Sequence, residues 1–150
     1  MKQAKVYLVL VLVISAVILS ACAGHTSAQG QVANTGEHDL STTRLSDKGL
    51  YRVSYESELD PITINSIHSW ILTVETPDGE PVENATILIE GGMPDHGHGL
   101  PTAPEVTEEL GGGKYRVEGL KYSMPGWWTL TFAIEANGEQ DLVTFNLVLE

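Results

Sequence analysis

The sequence is short of cysteine, of positive charge and of helical periodicity, and each shortage removes a class of protein. A single cysteine, Cys22, among 150 residues excludes a disulfide within the chain and any zinc site built on several thiolates. Eight Lys and Arg against 20 Asp and Glu, a net charge of −12, exclude the basic footprint that displaces counterions from nucleic acid, so no nucleic-acid partner is expected. No stretch repeats its apolar residues at helical spacing, and there is no internal repeat. The chain also lacks a Ser-His-Asp order, a phosphate-cradling glycine loop and a zinc-hydrolase helix, so a non-enzyme is expected. What is present, 42% apolar and 19% charged residues, is the composition of a globular domain with a core.

Part of the apolar content reads as a leader. Lys2 and Lys5 precede a mostly aliphatic run from Val6 to Ala21, 16 residues long. A spanning helix needs about 20 such residues, whereas a signal-peptide core is shorter. The run ends in Leu19-Ser20-Ala21-Cys22, which resembles the bacterial lipobox and implies lipidation of Cys22, the membrane as a partner through that lipid, and an extracytoplasmic location. Loss of Lys2 and Lys5 with the leader would leave 6 basic residues against 20 acidic ones, a net charge of −14. The lipid would also take the only thiol, leaving His, Met and carboxylates as the ligands for any metal.

Three regions follow: residues 1–21 as signal peptide, 22–45 as lipidated cysteine and flexible tether, and 46–150 as the domain. The tether is small and polar, and His25 and His38 within it are expected to have no role. From about Leu50 the apolar period becomes two. Tyr51, Val53 and Tyr55 alternate, and Trp70, Leu72 and Val74 share one face of a strand expected between Ile62 and Thr76. After the Pro77-Asp78-Gly79 turn come Ala85, Ile87 and Ile89, then Tyr115 and Val117. Trp128, Leu130, Phe132 and Ile134 are joined through Asn137-Gly138, a strong hairpin turn, to Val143, Phe145, Leu147 and Leu149. Six strands and a seventh near Val106 predict an all-β protein, an immunoglobulin-like antiparallel β-sandwich of about seven strands, with an antiparallel barrel as the alternative.

Residues 91–104, GGMPDHGHGLPTAP, hold more chemistry than a connection needs. His96 and His98 stand at i and i+2, which in an extended backbone puts both imidazoles on one side, with Gly97 easing the turn between them. Met93 lies three residues upstream, and Met124 sits in a second turn, Ser123-Met124-Pro125-Gly126. Imidazole and thioether together suit copper. His68 is in phase with Trp70, Leu72 and Val74 and should face inward, either as a further ligand or with a backbone carbonyl as its partner. Equally, the prolines and glycines could form a tight crossover that the histidines hold through backbone hydrogen bonds, with the methionines as core filling.

The stretches His68-Ser69-Trp70, Pro77-Asp78-Gly79-Glu80-Pro81-Val82, Gly92-Met93-Pro94-Asp95-His96-Gly97-His98-Gly99 and Met124-Pro125-Gly126-Trp127-Trp128 together resemble the YtkA-like or FixH-like extracytoplasmic domain over roughly residues 62–136. The resemblance implies a small secreted or membrane-anchored β-sandwich associated with copper handling, efflux adaptors or oxidase assembly. It carries over Met93, His96, His98 and Met124 as motif positions, with His68 as a further one.

Two functions follow as expectations. In the first, a lipid-anchored protein holds a copper ion, Cu(I) or Cu(II), through His96, His98 and the methionines and passes it to a copper-receiving partner. In the second, a structural or adaptor sandwich docks an envelope protein, with Trp127, out of phase with the buried face of Trp128, as an exposed anchor.

Overall fold

The computed structural model describes residues 38–150; the expected leader, Cys22 and most of the tether lie outside the described residues. Nine strands follow in order: β1 Thr43–Leu45, β2 Arg52–Ser57, β3 His68–Glu75, β4 Thr86–Met93, β5 His98–Gly99, β6 Glu105–Gly111, β7 Lys114–Leu120, β8 Gly126–Ala136 and β9 Glu139–Leu149. They form two antiparallel sheets, ordered β1-β2-β3-β7-β6 and β5-β4-β8-β9. The fold is the expected all-β sandwich.

Strict alternation in the sequence builds the core. Trp70, Leu72 and Val74 of β3 with Val53, Tyr115 and Val117 form one inner face, and Trp128, Leu130, Phe132, Ile134, Val143, Phe145 and Leu147 form the other. Burying each such side chain is worth about 1.5–3 kcal/mol, so the pattern on β8 and β9 fixes their register: a slip by one residue would turn every one of them to solvent. Asn137 and Gly138 take φ of 55° and 81°, the left-handed pair that a two-residue hairpin needs, and the ladder closes at Ala136 opposite Glu139.

Three differences from the sequence reading have local causes. The two additional strands, β1 and β5, are three and two residues long, too short for a period-two signal. The strand expected from Ile62 begins only at His68, because Asn65 sits at φ 65° and a left-handed residue interrupts extended chain. The domain also includes residues ahead of 46. Asp39 accepts the Ser41 N–H and hydroxyl, pairs with Arg44, and leads straight into β1.

A buried carboxylate ties this N-terminal part to β9. Asp141, 2% exposed, accepts the backbone N–H of Lys48 at 3.1 and 3.0 Å and that of Leu50 at 3.3 Å. Burial pushes its pKa up, but hydrogen bonds from the Ser46 side chain and the backbones of Leu142, Leu50 and Lys48 outweigh it, and the carboxyl lies below its ordinary value.

Candidate functional site

The His/Met loop is a hairpin tip. Met93, the last residue of β4, pairs with His98, the first of β5, and Pro94–Gly97 make the turn between them. The Met93 carbonyl accepts the N–H of His96 at 3.1 Å and of Gly97 at 2.9 Å, with Gly97 at φ 66°. Gly92 permits the close return: a Cβ there would lie 2.3 Å from the His98 carbonyl oxygen. His96 is therefore in a turn rather than in the extended chain that the i, i+2 reading assumed. The turn still brings the imidazoles of His96 and His98 to 6.0 Å between ring centroids, and both are exposed.

Trp128 joins this tip to the second turn. Its ring lies edge-on to His98 at 5.5 Å, and its Nε1 donates to the Met124 carbonyl at 3.0 Å. The Met124 side chain is 37% exposed beside it. Sequence reasoning read Trp128 only as core; the indole also positions both candidate loops. A Trp in the first turn-proximal residues of β8, four residues after Met124, was the available signal.

Met93 takes a different part. It is 1% exposed, and a Cβ on Gly126 would fall 2.8 Å from its terminal methyl carbon. The side chain is packed into the sandwich end, as the alternative core-filling reading has it. His68 also points inward, 8% exposed. Its Nδ1 donates to the Ser66 carbonyl at 3.2 Å, the backbone partner expected for an inward imidazole. The Nε2 has no hydrogen-bond partner, nor has the hydroxyl of Tyr122, whose ring lies 5.7 Å away. Burial lowers the His68 pKa, with the Ser66 carbonyl raising it in part, and burial raises that of the Tyr122 phenol.

Trp127 is out of phase with Trp128, as expected, but it is half-buried rather than exposed. His38 stacks on it at 3.9 Å, and its Nε1 donates to Asn146 Oδ1 at 3.0 Å. The Asn146 side-chain amide donates in turn to the Asp39 carbonyl at 3.1 Å. A residue expected to be an idle tether histidine thus covers the expected docking anchor.

The donor chemistry suits copper at three positions. His98 Nδ1 lies 3.0 Å from the Gly99 carbonyl, which selects the tautomer with a free Nε2 lone pair, the arrangement that orients imidazole ligands. His96 and Met124 are accessible at the same end. Met93 and His68 are held in the core. Among the described residues no three His, Cys, Asp or Glu side chains are grouped to hold a metal ion. A groove of about 700 Å³ lined by Tyr55, Pro61, Ile62, Ile64 and Val148 contains none of these residues.

Fold and site together define a small antiparallel β-sandwich module that carries His and Met side chains on two loops at one end. The model of the YtkA-like family matches residues 57–133, from the end of β2 into β8, and the chain belongs to that family. A crystal structure of a DUF4426 family protein from Pseudomonas aeruginosa is similar in fold, with a TM-score of 0.52 and 20% identity, covering 73% of this chain and 96% of that one. No curated protein matches the chain.

Proposed function

We propose that this YtkA-like chain is a non-catalytic docking module of the cell envelope, held outside the cytoplasm through lipidated Cys22, which engages a protein partner with the end formed by the β4–β5 hairpin and the Met124 turn. The supporting observation is Met124, an accessible thioether on a turn locked by the Trp128 hydrogen bond. Methionine adapts to varied apolar surfaces, and a rigid mount lowers the entropy lost on docking. Capture of the partner from envelope membranes by the full chain should be lost with Met124→Asp. Retention of capture by that variant contradicts the reading.

The imidazole geometry favours a second reading, copper handling at the same end. His96, His98 and Met124 would hold the ion, with imidazoles favouring Cu(II) and the thioether favouring Cu(I). A competitive Cu(I) and Cu(II) titration should find one tight equivalent that His96→Ala with His98→Ala removes. Binding no tighter than that of a free peptide leaves docking as the function of this end.

A further inference from the structure

The edges of the two sheets are guarded unequally. An edge strand presents unpaired N–H and C=O groups, and proteins protect it by shortness, charge, proline or a bulge. β1 and β5 are three and two residues long. β6 carries Glu105, Glu108 and Glu109 and has two register shifts against β7. The second half of β9 has none of these devices. It pairs with β8 without a shift from Glu139 to Leu149, and residues 143–149 hold no charge and no proline.

Phase shows where this edge is open. The Leu142 carbonyl points away from β8 and accepts the Asp47 N–H at 2.8 Å, and the Gln140 carbonyl accepts Lys48 Nζ at 2.8 Å. Main-chain groups alternate in direction along an antiparallel strand, so those of Thr144, Asn146 and Val148 point outward too. Among the described residues nothing bonds them. Beside Asn146 and Val148 lies the groove of about 700 Å³, within the range of about 300–1,000 Å³ that ligand sites occupy. Tyr55, Ile62 and Ile64 are part of its apolar lining, and Asp60 and Glu150 are its only charged side chains.

We propose that this groove receives an extended peptide of a protein partner, added as a strand beside residues 146–150, with apolar side chains at alternate positions and Lys or Arg flanking them. Main-chain bonds to Asn146 and Val148 supply the pairing, and the alternate side chains that enter the groove supply the selectivity. The flanking cations meet Asp60 and Glu150. A second copy of this chain, with a net charge of −12, would bring carboxylates to carboxylates and is disfavoured on this edge. The site adjoins the Met124 turn, because Gly126 pairs with Leu149, but it goes beyond docking by that turn and does not depend on it.

Selection of random heptapeptides displayed on phage against the full chain in mild detergent tests this. Enriched peptides should alternate apolar residues between Lys or Arg, and one of them, made synthetically, should bind in fluorescence anisotropy. Val148→Pro removes an outward N–H without removing a bond to β8, and should weaken that peptide at least about tenfold. Val148→Thr keeps the N–H and should bind as the wild type does. Asp60→Asn with Glu150→Gln should weaken binding and flatten its salt dependence, while circular dichroism reports that each variant is folded. Met124→Asp should leave peptide binding unchanged, which separates this site from docking by the Met124 turn. No enriched motif, or a peptide indifferent both to Val148→Pro and to the loss of the two carboxylates, overturns the proposal. A dimer in sedimentation that Val148→Pro dissolves would give the edge to a second copy and would also overturn it.

Discussion

His38 lies flat on Trp127, their ring centroids 3.9 Å apart and their planes 14° from parallel. The stack fastens the incoming chain onto β8, and Asn146 of β9 holds Asp39, so residues 38 and 39 are part of the domain. His38→Ala should expose Trp127, red-shifting tryptophan emission and raising acrylamide quenching. Loss of an aromatic pair of this kind should cost about 0.5–1.5 kcal/mol in denaturant unfolding. Unchanged emission and stability would show that the stack contributes nothing in solution.

Gly92 and Gly126 should respond differently to alanine. At Gly92 the obstacle is the backbone carbonyl of His98 at 2.3 Å, which moves only if β5 leaves β4; Gly92→Ala should release the hairpin tip and speed amide exchange at Gly99 and Leu100. At Gly126 the obstacle is the flexible end of Met93, but φ is 122°. Gly126→Ala should cost about 1–3 kcal/mol, and adding Met93→Ala should not restore it. Restoration would place the cost in the clash and not in the backbone.

Asp141 makes stability depend on acid. Its folded pKa lies below the ordinary value of 3.8, so its contribution is complete above that value and is lost as pH falls through the lower folded pKa. Asp141→Ala should lower stability at pH 7 by about 1–3 kcal/mol through the lost bonds to the partly buried N–H groups of Lys48 and Leu50. The gap between variant and wild type should narrow in chemical denaturation series carried below pH 4.

His68 acts in a higher window. Burial lowers its folded pKa below 6.5, so the unfolded chain takes up a proton first as pH falls. Its contribution is complete above that value and is lost as pH drops towards the folded pKa. His68→Leu should flatten the stability profile on the acid side of pH 6.5. A profile as steep as that of the wild type would assign the acid response to other groups.

The fold was legible because Trp70, Leu72 and Val74, and Trp128 through Ile134, alternate strictly over strands long enough to show it. β1 and β5 were illegible because pairing, not composition, makes two or three residues a strand. At the site, the sequence placed Met93, His96, His98 and Met124 in two turns, and both turns are brought to one end by Trp128. It could not separate Met93 from Met124: one thioether is buried against Gly126 and the other exposed, a distinction made by contacts far apart in the chain. Nor could polarity in a tether reveal that His38 finds an aromatic partner 89 residues later.

The proposed docking end is formed by the hairpin tip and the Met124 turn. A photo-crosslinking amino acid placed in the full chain at 96, 124 or 110, and irradiated in intact cells, tests it directly. The same discrete protein adduct is expected from positions 96 and 124 and none from 110. No adduct from 96 and 124, or an equal adduct from 110, would contradict it.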